Sequence, residues 1–491
     1  MAAPGTRQRP TTGSPQPERR LLSLEEIAGR LERALELSTA DETELAWIET
    51  ADGRADGGGE RTERLPVHRT ILIRVREGAR RGAHRTGAGE PSEILNGIRQ
   101  AIAASRATAP LPVSGPWTEN TEDEEDGVAD GSLSHAATEP SAPGPWDPEV
   151  AALDPSGAAD LLRSLVDAPG RTERMSLEWT LLRVVVRTGA GLDRRAEATA
   201  VTARAHAAAP PRSGPPDRTG SHAGWAAGAA RSLAALDPAG VLDRARQRAA
   251  APGPAGPDPG GGASSALPTA EAPILFSPEA AASLVALLVR KAFSSSAFDS
   301  ERSPLAGLLG EHVFAPEIDL VDDGLDPAGL PFPFDLLGRP RERIELVTAG
   351  VPRTPAVDEH LAARLGRRPT PHALGPEDAR PIHPFLLPRH PPEEVMAAAE
   401  GGLWIAGFEE LECFDPGRIA VRGRSIGARR VRGGELAEPV PAVIWEDSLL
   451  RLFSKVRALG GTPVVLAEDG GMGGVSAPMV CAAGAERLTR A

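Results

Sequence analysis

Three histidines and two acids share one irregular stretch, HALGPEDARPIHPFLLPRHPPEE, which supplies His372, His383, His390, Glu393 and Glu394. Two imidazoles and a carboxylate could hold zinc, with His383, His390 and Glu393 as the candidate ligands. Their spacing speaks against that use. Zinc pairs usually come from helical i, i+4 positions or tight Cys/His spacing, whereas His383 and His390 stand seven residues apart in a proline-rich segment. The pattern predicts loop packing and leaves an atypical metal site as the alternative.

The remaining reactive types are scattered. Cys413 and Cys481 form neither a disulfide framework nor a CxxC pair and read as small apolar residues. Ser294, Ser295 and Ser296 have no base nearby in sequence to make one a nucleophile. The glycine-rich EDGGMGGVSAP lacks the lysine of a phosphate loop and predicts a flexible connection. RIAVRGRSIGARRVRG alternates Arg with Ile, Ala and Val as an exposed β-hairpin does, and its arginines could receive peptide carboxylates. No GxSxG, P-loop, GxGxxG or HExxH occurs.

The element that stands out is ILFSPEAAASLVALLVRKAF, residues 274–293. Ser277 is a good N-cap, Pro278 suits the first helical position, and Glu279 faces the positive end of the helix dipole. Between Ala280 and Val289 only Ser283 is polar, and Arg290 and Lys291 suit the negative end. A helix apolar on all sides is buried, and this one is too short to span a membrane. It predicts a core helix with no catalytic side chain in its body.

The chain of 491 residues has room for two domains, and its formal charge of -14 argues against a general nucleic-acid binder. With no long apolar stretch and no signal-peptide core at the N-terminus, the expected location is the cytoplasm.

The organisation follows from composition and periodicity. Residues 1–20 are rich in Pro, Thr, Arg and Gly and predict a disordered tail. Residues 21–250 predict an N-terminal α+β domain. It starts with an amphipathic helix in LSLEEIAGRLERALELS and a meander of strands in TELAWIET and HRTILIRVREGARRGAHRTG, followed by a helix in PSEILNGIRQAIAASRA. Residues 107–150 predict a solvated loop, with seven acids in ENTEDEEDGVAD; an EF-hand pattern is missing. A helix in GAADLLRSLVDA comes next, then a long hairpin. On its second arm Val201, Ala203 and Ala205 alternate with Thr202, Arg204 and His206, which predicts one buried and one wet face. A further helix, DPAGVLDRARQRAA, precedes a Pro/Gly/Ser linker at 251–272. Residues 273–491 predict a β-rich domain that opens with the buried helix, with further helices at PPEEVMAAAEGGL and SLLRLFSKVRALG. The fold class expected is α+β, with an antiparallel N-terminal sheet.

This order of features resembles the TldD/PmbA family of peptidase-related proteins over roughly residues 21–485. The resemblance is carried by RVVVRTGAGLDRRAEATAVTARAHA, by GWAAGAARSLAALDPAGVLDRARQRA, by SPLAGLLGEHVFAPEIDLVDDGL with its Asp322 and Asp323, and by PFDLLGRPRERIELVTAGV with Asp335, Gly338 and Pro340. In zinc-bearing members the helix that opens the second domain carries His-Glu-x-x-x-His. Here the matching position reads Ala286, Leu287, Leu288, Val289, Arg290 and Lys291. The family's third ligand is a C-terminal Cys, and Cys481 lies too late to match it.

The resemblance therefore implies the PmbA/TldE-like branch. It implies no catalytic residue and no metal in this chain, zinc in a TldD-like partner subunit, and unfolded peptides as substrate, gripped as added strands. Two alternatives remain open: a homodimeric peptide-binding or scaffold protein, and an active peptidase with an atypical metal site.

Overall fold

Alternating apolar residues in the first half of the chain make six strands, and these pair into one antiparallel sheet in the order β3-β2-β1-β4-β5-β6. They are β1 (Glu42–Asp56), β2 (Val67–Glu77), β3 (Arg80–Thr86), β4 (Arg174–Thr188), β5 (Asp193–Ala207) and β6 (Gly224–Ala230). The computed structural model describes residues 20–56, 65–87, 89–108, 145–166, 173–207, 224–250, 267–300, 302–375 and 378–491. Residues 1–19 of the expected tail, 109–144 of the acidic loop and 251–266 of the linker lie outside the described residues.

One face of the sheet is covered by helices. Leu24–Glu36, whose Ser23 and Glu26 form a capping box, and Pro91–Ser105 pack Ile27, Leu31, Ile94 and Ile98 on Trp47, Ile71, Ile73 and Val75. Pro155–Val166 and Pro238–Ala250 cover the other half, over Leu177, Trp179, Val201 and Ala203. The opposite face differs from the sequence expectation. It is covered by the C-terminal domain: Ala46, Leu182, Val184, Val186, Ala196 and Ala198 pack against Phe332, Phe334, Leu336, Ile382 and Met472. Val201, Ala203 and Ala205 are buried as expected, while on the other face Thr202 is covered and Arg204 and His206 stay partly exposed, so the predicted alternation holds only toward the end of β5. Small side chains on β5 let the second domain approach closely. A Cβ at Gly471, whose φ is +77°, would lie 2.8 Å from the Cβ of Ala200.

In the C-terminal half, among the described residues, ten strands form a mixed sheet with Gly473–Ala482 at its centre and Ile274–Phe276, Pro384–Leu386 and Val456–Glu468 as its neighbours. A four-stranded sheet of Gly407–Asp415, Ala420–Ile426, Val443–Ser448 and Arg487–Arg490 packs beside it. Between the two lies the helix Pro278–Ala292, capped by Ser277 Oγ, which accepts the Ala280 N–H at 3.1 Å. The mixed α+β class and the antiparallel N-terminal sheet are as the sequence predicts.

Three local readings are corrected. SLLRLFSKVRALG is helical only over Leu449–Ser454; from Val456 it pairs with Gly473–Ala482, because a ladder with the central strand outweighs helix propensity. EDGGMGGVSAP is a connection only over residues 469–472; Glu468 ends the strand before it, and from Gly473 on the segment is the buried central strand. There the missing side chain matters: a Cβ at Gly473 would sit 2.2 Å from the Ile382 carbonyl oxygen. Finally, RIAVRGRSIGARRVRG is no hairpin. Its two strands, Ala420–Ile426 and Arg429–Arg432, belong to different sheets. Arg424 pairs with Glu409, Arg422 with Glu446 at 2.7 Å and Arg432 with Glu438 at 3.1 Å, and Arg429 is buried against the Ala437 and Arg248 carbonyls.

Candidate functional site

One side of the helix Pro278–Ala292 borders a narrow cleft. Ala286 and Arg290 line it with Arg380, Ile382, Glu468 and Val475, and Arg290 closes it with an ion pair to Glu468 at 2.6 Å. The donor set does not fit zinc. Ala286 and Leu287 are half-buried apolar groups, and Lys291 is a half-buried cation. Cys481 is remote for a reason of strand geometry: neighbouring residues on a strand point to opposite faces. Val480 and Ala482 pack in the cluster around the helix, while Cys481 packs on the other side with Leu275, Trp404 and Ala458. Burial pushes the Cys481 thiol up to about 11, which keeps it protonated.

The histidines divide. His372 and His383 come together around Asp322, with His372 Nε2 3.0 Å from Asp322 Oδ2 and the His383 N–H donating to Asp322 Oδ1 at 2.7 Å. All three are buried. His383 Nε2 donates to the Met472 carbonyl at 3.2 Å. Burial, reinforced by the Arg341 guanidinium, holds His383 down to about 3. Burial alone would raise the Asp322 carboxyl, but His372 outweighs it and the carboxyl stays below its ordinary range. This cluster ties Leu320–Asp322 to Pro384–Leu386. His390 lies elsewhere, its Nδ1 accepting the Leu459 N–H at 3.3 Å, and Glu393 is exposed at the start of the Pro392–Ala398 helix. The candidate set His383, His390 and Glu393 is thus not assembled. Among the described residues no group of three or more His, Cys, Asp or Glu is placed to hold a metal ion. Asp335, from the other typical stretch, organises a turn by accepting the N–H groups of Leu337, Arg339 and Ala373.

The residues that sequence reasoning passed over lie at the domain junction. Glu279 does occupy the first turn of its helix, yet its carboxylate is fully buried and meets Arg248 at 3.0 and 3.1 Å. Arg231, just after β6, donates to five carbonyls: Thr199, Leu330, Pro331, Gly471 and Met472. It has no carboxylate partner within ion-pair distance among the described residues, and burial lowers its pKa to about 9. Together with Arg244 these arginines line a cavity of about 740 Å³ between the domains. The signal in sequence was faint: an Arg directly after a strand of Gly, Trp and Ala, and three more in one helix.

No described helix is long and apolar enough to cross a membrane. Residues 269–486 match the family model described as PmbA/TldA metallopeptidase C-terminal domain. No curated protein matches the chain. Among solved structures, TldE from Thermococcus kodakarensis superposes with a TM-score of 0.67 at 18% identity, covering 95% of this chain and 100% of that one. A putative modulator of a DNA gyrase from Thermotoga maritima MSB8 follows at 0.65 and 19%, covering 94% and 99%. A putative modulator of DNA gyrase from Bacteroides thetaiotaomicron VPI-5482 gives 0.64 and 14%, covering 94% and 97%. At these identities the likeness is one of fold, and it extends over both domains. Residues 269–486 thus match the family's C-terminal domain, and the chain as a whole has a TldE-like fold.

Proposed function

We propose that this chain is the non-catalytic, TldE-like subunit of a peptidase-related complex, paired in the cytoplasm with a zinc-bearing TldD-type subunit that cuts unfolded peptides. One observation carries the reading. The helix Pro278–Ala292 has Ala286, Leu287 and Lys291 at the positions that the resemblance matches to the His, Glu and His of zinc-bearing family members, and these side chains offer neither a metal ligand nor a general base. The only described cysteine on the central strand, Cys481, faces the other side of the sheet. Within such a complex this chain contributes walls and main-chain edges that hold an extended peptide, since strand addition is tolerant of sequence.

The test is metal content by mass spectrometry together with cleavage of an unfolded peptide. Both are measured on the purified chain and on the chain co-expressed with a zinc-bearing family member. An inert, metal-free chain and a stable, zinc-loaded, active pair are expected. Stoichiometric metal with peptidase activity in the chain alone would overturn the proposal, as would failure to associate with any zinc-bearing homologue.

A further inference from the structure

The cavity at the domain junction has a charge pattern that subunit pairing leaves unexplained. Its walls are β6 and the helix Pro238–Ala250 on one side, and residues 327–331, Trp404 and residues 461–465 on the other. A volume of about 740 Å³ is within the range of about 300–1,000 Å³ common for ligand sites. Among the described lining residues are three arginines and no Asp or Glu. This is unexpected in a chain of formal charge -14.

The three guanidinium groups are not equivalent. Arg231 has both terminal nitrogens engaged by five carbonyls, with only its Nε left over, and Arg248 is held by Glu279 and by the Trp225 carbonyl at 2.6 Å. Arg244 makes one bond, from Nη2 to the Ala227 carbonyl at 3.2 Å. Its Nε is buried without a partner, and no described carboxylate lies within ion-pair distance of it. Burial lowers its pKa, as expected for a cation removed from water with no paired anion. A partly dehydrated guanidinium with unused donors is a receptor for a planar anion, which it can bind in bidentate fashion. The shape of the site limits the ligand. The Ala227 N–H donates to Glu279 at 3.4 Å and its carbonyl accepts from Arg244, so that part of the β6 edge is already capped. The far wall is a strand, Val456–Glu468, whose ladder is with Gly473–Ala482 and whose other side meets His390 through an isolated bridge at Gly460.

From this geometry we infer that the cavity binds a carboxylate of an extended peptide, with Arg244 as the receiving group. The inference rests on the peptide-handling reading given above and names the chemistry that this chain recognises. The carboxylate is either the peptide's C-terminus or an acidic side chain.

The experiment uses the full chain without a partner and follows fluorescence anisotropy of short, unstructured peptides labelled at the N-terminus with an uncharged dye. Three probes are compared: a neutral peptide with a free C-terminus, its C-terminal amide, and the amide with one internal Glu. At least one carboxylate-bearing probe is expected to bind roughly tenfold or more tightly than the neutral amide, with the preference weakened by salt. Which probe gains identifies the source of the carboxylate. Arg244→Gln should abolish the preference, and Arg244→Lys should keep part of it. Equal binding of all probes, or no binding of any, overturns the inference. So does an Arg244→Gln protein that melts lower but keeps the preference, because Arg244 would then only cap the strand edge. Neither result touches assembly with a zinc-bearing subunit, which the co-expression assay reads separately.

Discussion

Arg248, near the end of the last N-terminal helix, grips Glu279, in the first turn of the helix that opens the C-terminal domain, through two parallel bonds of 3.0 and 3.1 Å. The carboxylate is wholly buried and the guanidinium stacks 5.5 Å from the Trp404 ring. Two domains are therefore joined at a point where charge is shielded from water and geometry is strict.

Removing one partner strands the other. Arg248→Met should lower stability by about 3–5 kcal/mol, the usual cost of breaking a buried pair. Arg248→Met combined with Glu279→Gln should cost less than the sum of the single changes. Urea denaturation of the four proteins gives the coupling, and strict additivity would show that the pair contributes nothing beyond packing.

Arg231 predicts a different phenotype, because four of its five carbonyl partners belong to connections of the C-terminal domain. Arg231→Met leaves carbonyls of Leu330, Pro331, Gly471 and Met472 without their donor, at about 1–3 kcal/mol for each group that water cannot reach. Amide hydrogen exchange should rise around residues 327–331 and 469–472 while the N-terminal sheet stays protected. Uniform exchange in wild type and variant would contradict the clamp.

His383 makes stability depend on pH. Its folded pKa, about 3, lies below the ordinary value of 6.5, so on acidification the unfolded chain takes up a proton that the folded chain refuses. Its contribution is complete above pH 6.5 and is lost as pH falls toward 3, at about 1.4 kcal/mol per pH unit. His383→Gln should be less stable than wild type at pH 7.5 and should show a flatter decline between pH 6.5 and 5. An unchanged slope in the variant would assign the decline to other groups.

Glu359 of the C-terminal domain bridges Arg74 and Arg81 of the N-terminal sheet and Arg339 of its own domain, at 3.3, 2.8 and 2.7 Å. Burial opposes its charge, but Arg74, Arg339 and Arg81 prevail and its folded pKa is below 4.5. Its stabilisation is thus present above pH 4.5 and lost as pH falls through the folded value. The neighbouring Glu44, raised chiefly by burial, works in the opposite sense, so the difference between wild type and Glu359→Gln is the quantity to measure. Thermal melts at pH 7 and pH 4 should show that gap narrowing with acid.

Writing His, Glu and His into positions 286, 287 and 291 should not by itself give a zinc protein. Cys481 lies across the sheet from this helix, so two imidazoles would lack their thiolate. Metal analysis after desalting should find less than one zinc per chain; full, tight occupancy would mean that another side chain can reach the cleft.

Much of this protein is present in local sequence. The cap at Ser277, the apolar run to Val289, the period-two strands around Ile71 and the absence of ligating side chains at residues 286–291 are all decided by nearest neighbours along the chain, and each can be read without coordinates. Pairing and burial are different, because they depend on residues far apart in sequence. The same Glu279 suits a helix dipole when read locally, and is a buried ion-pair partner only because Arg248 arrives from the other domain. The Gly-rich 468–478 segment reads as a loop until Ile382 and Val456–Glu468 close around its second half as a sheet. His383 separates from His390 because a strand lies between them, with one histidine drawn to Asp322 and the other to Leu459. Local propensity sets which elements can form. Long-range pairing chooses which charges lose their water, and at the domain junction that choice leaves Arg244 without a paired anion.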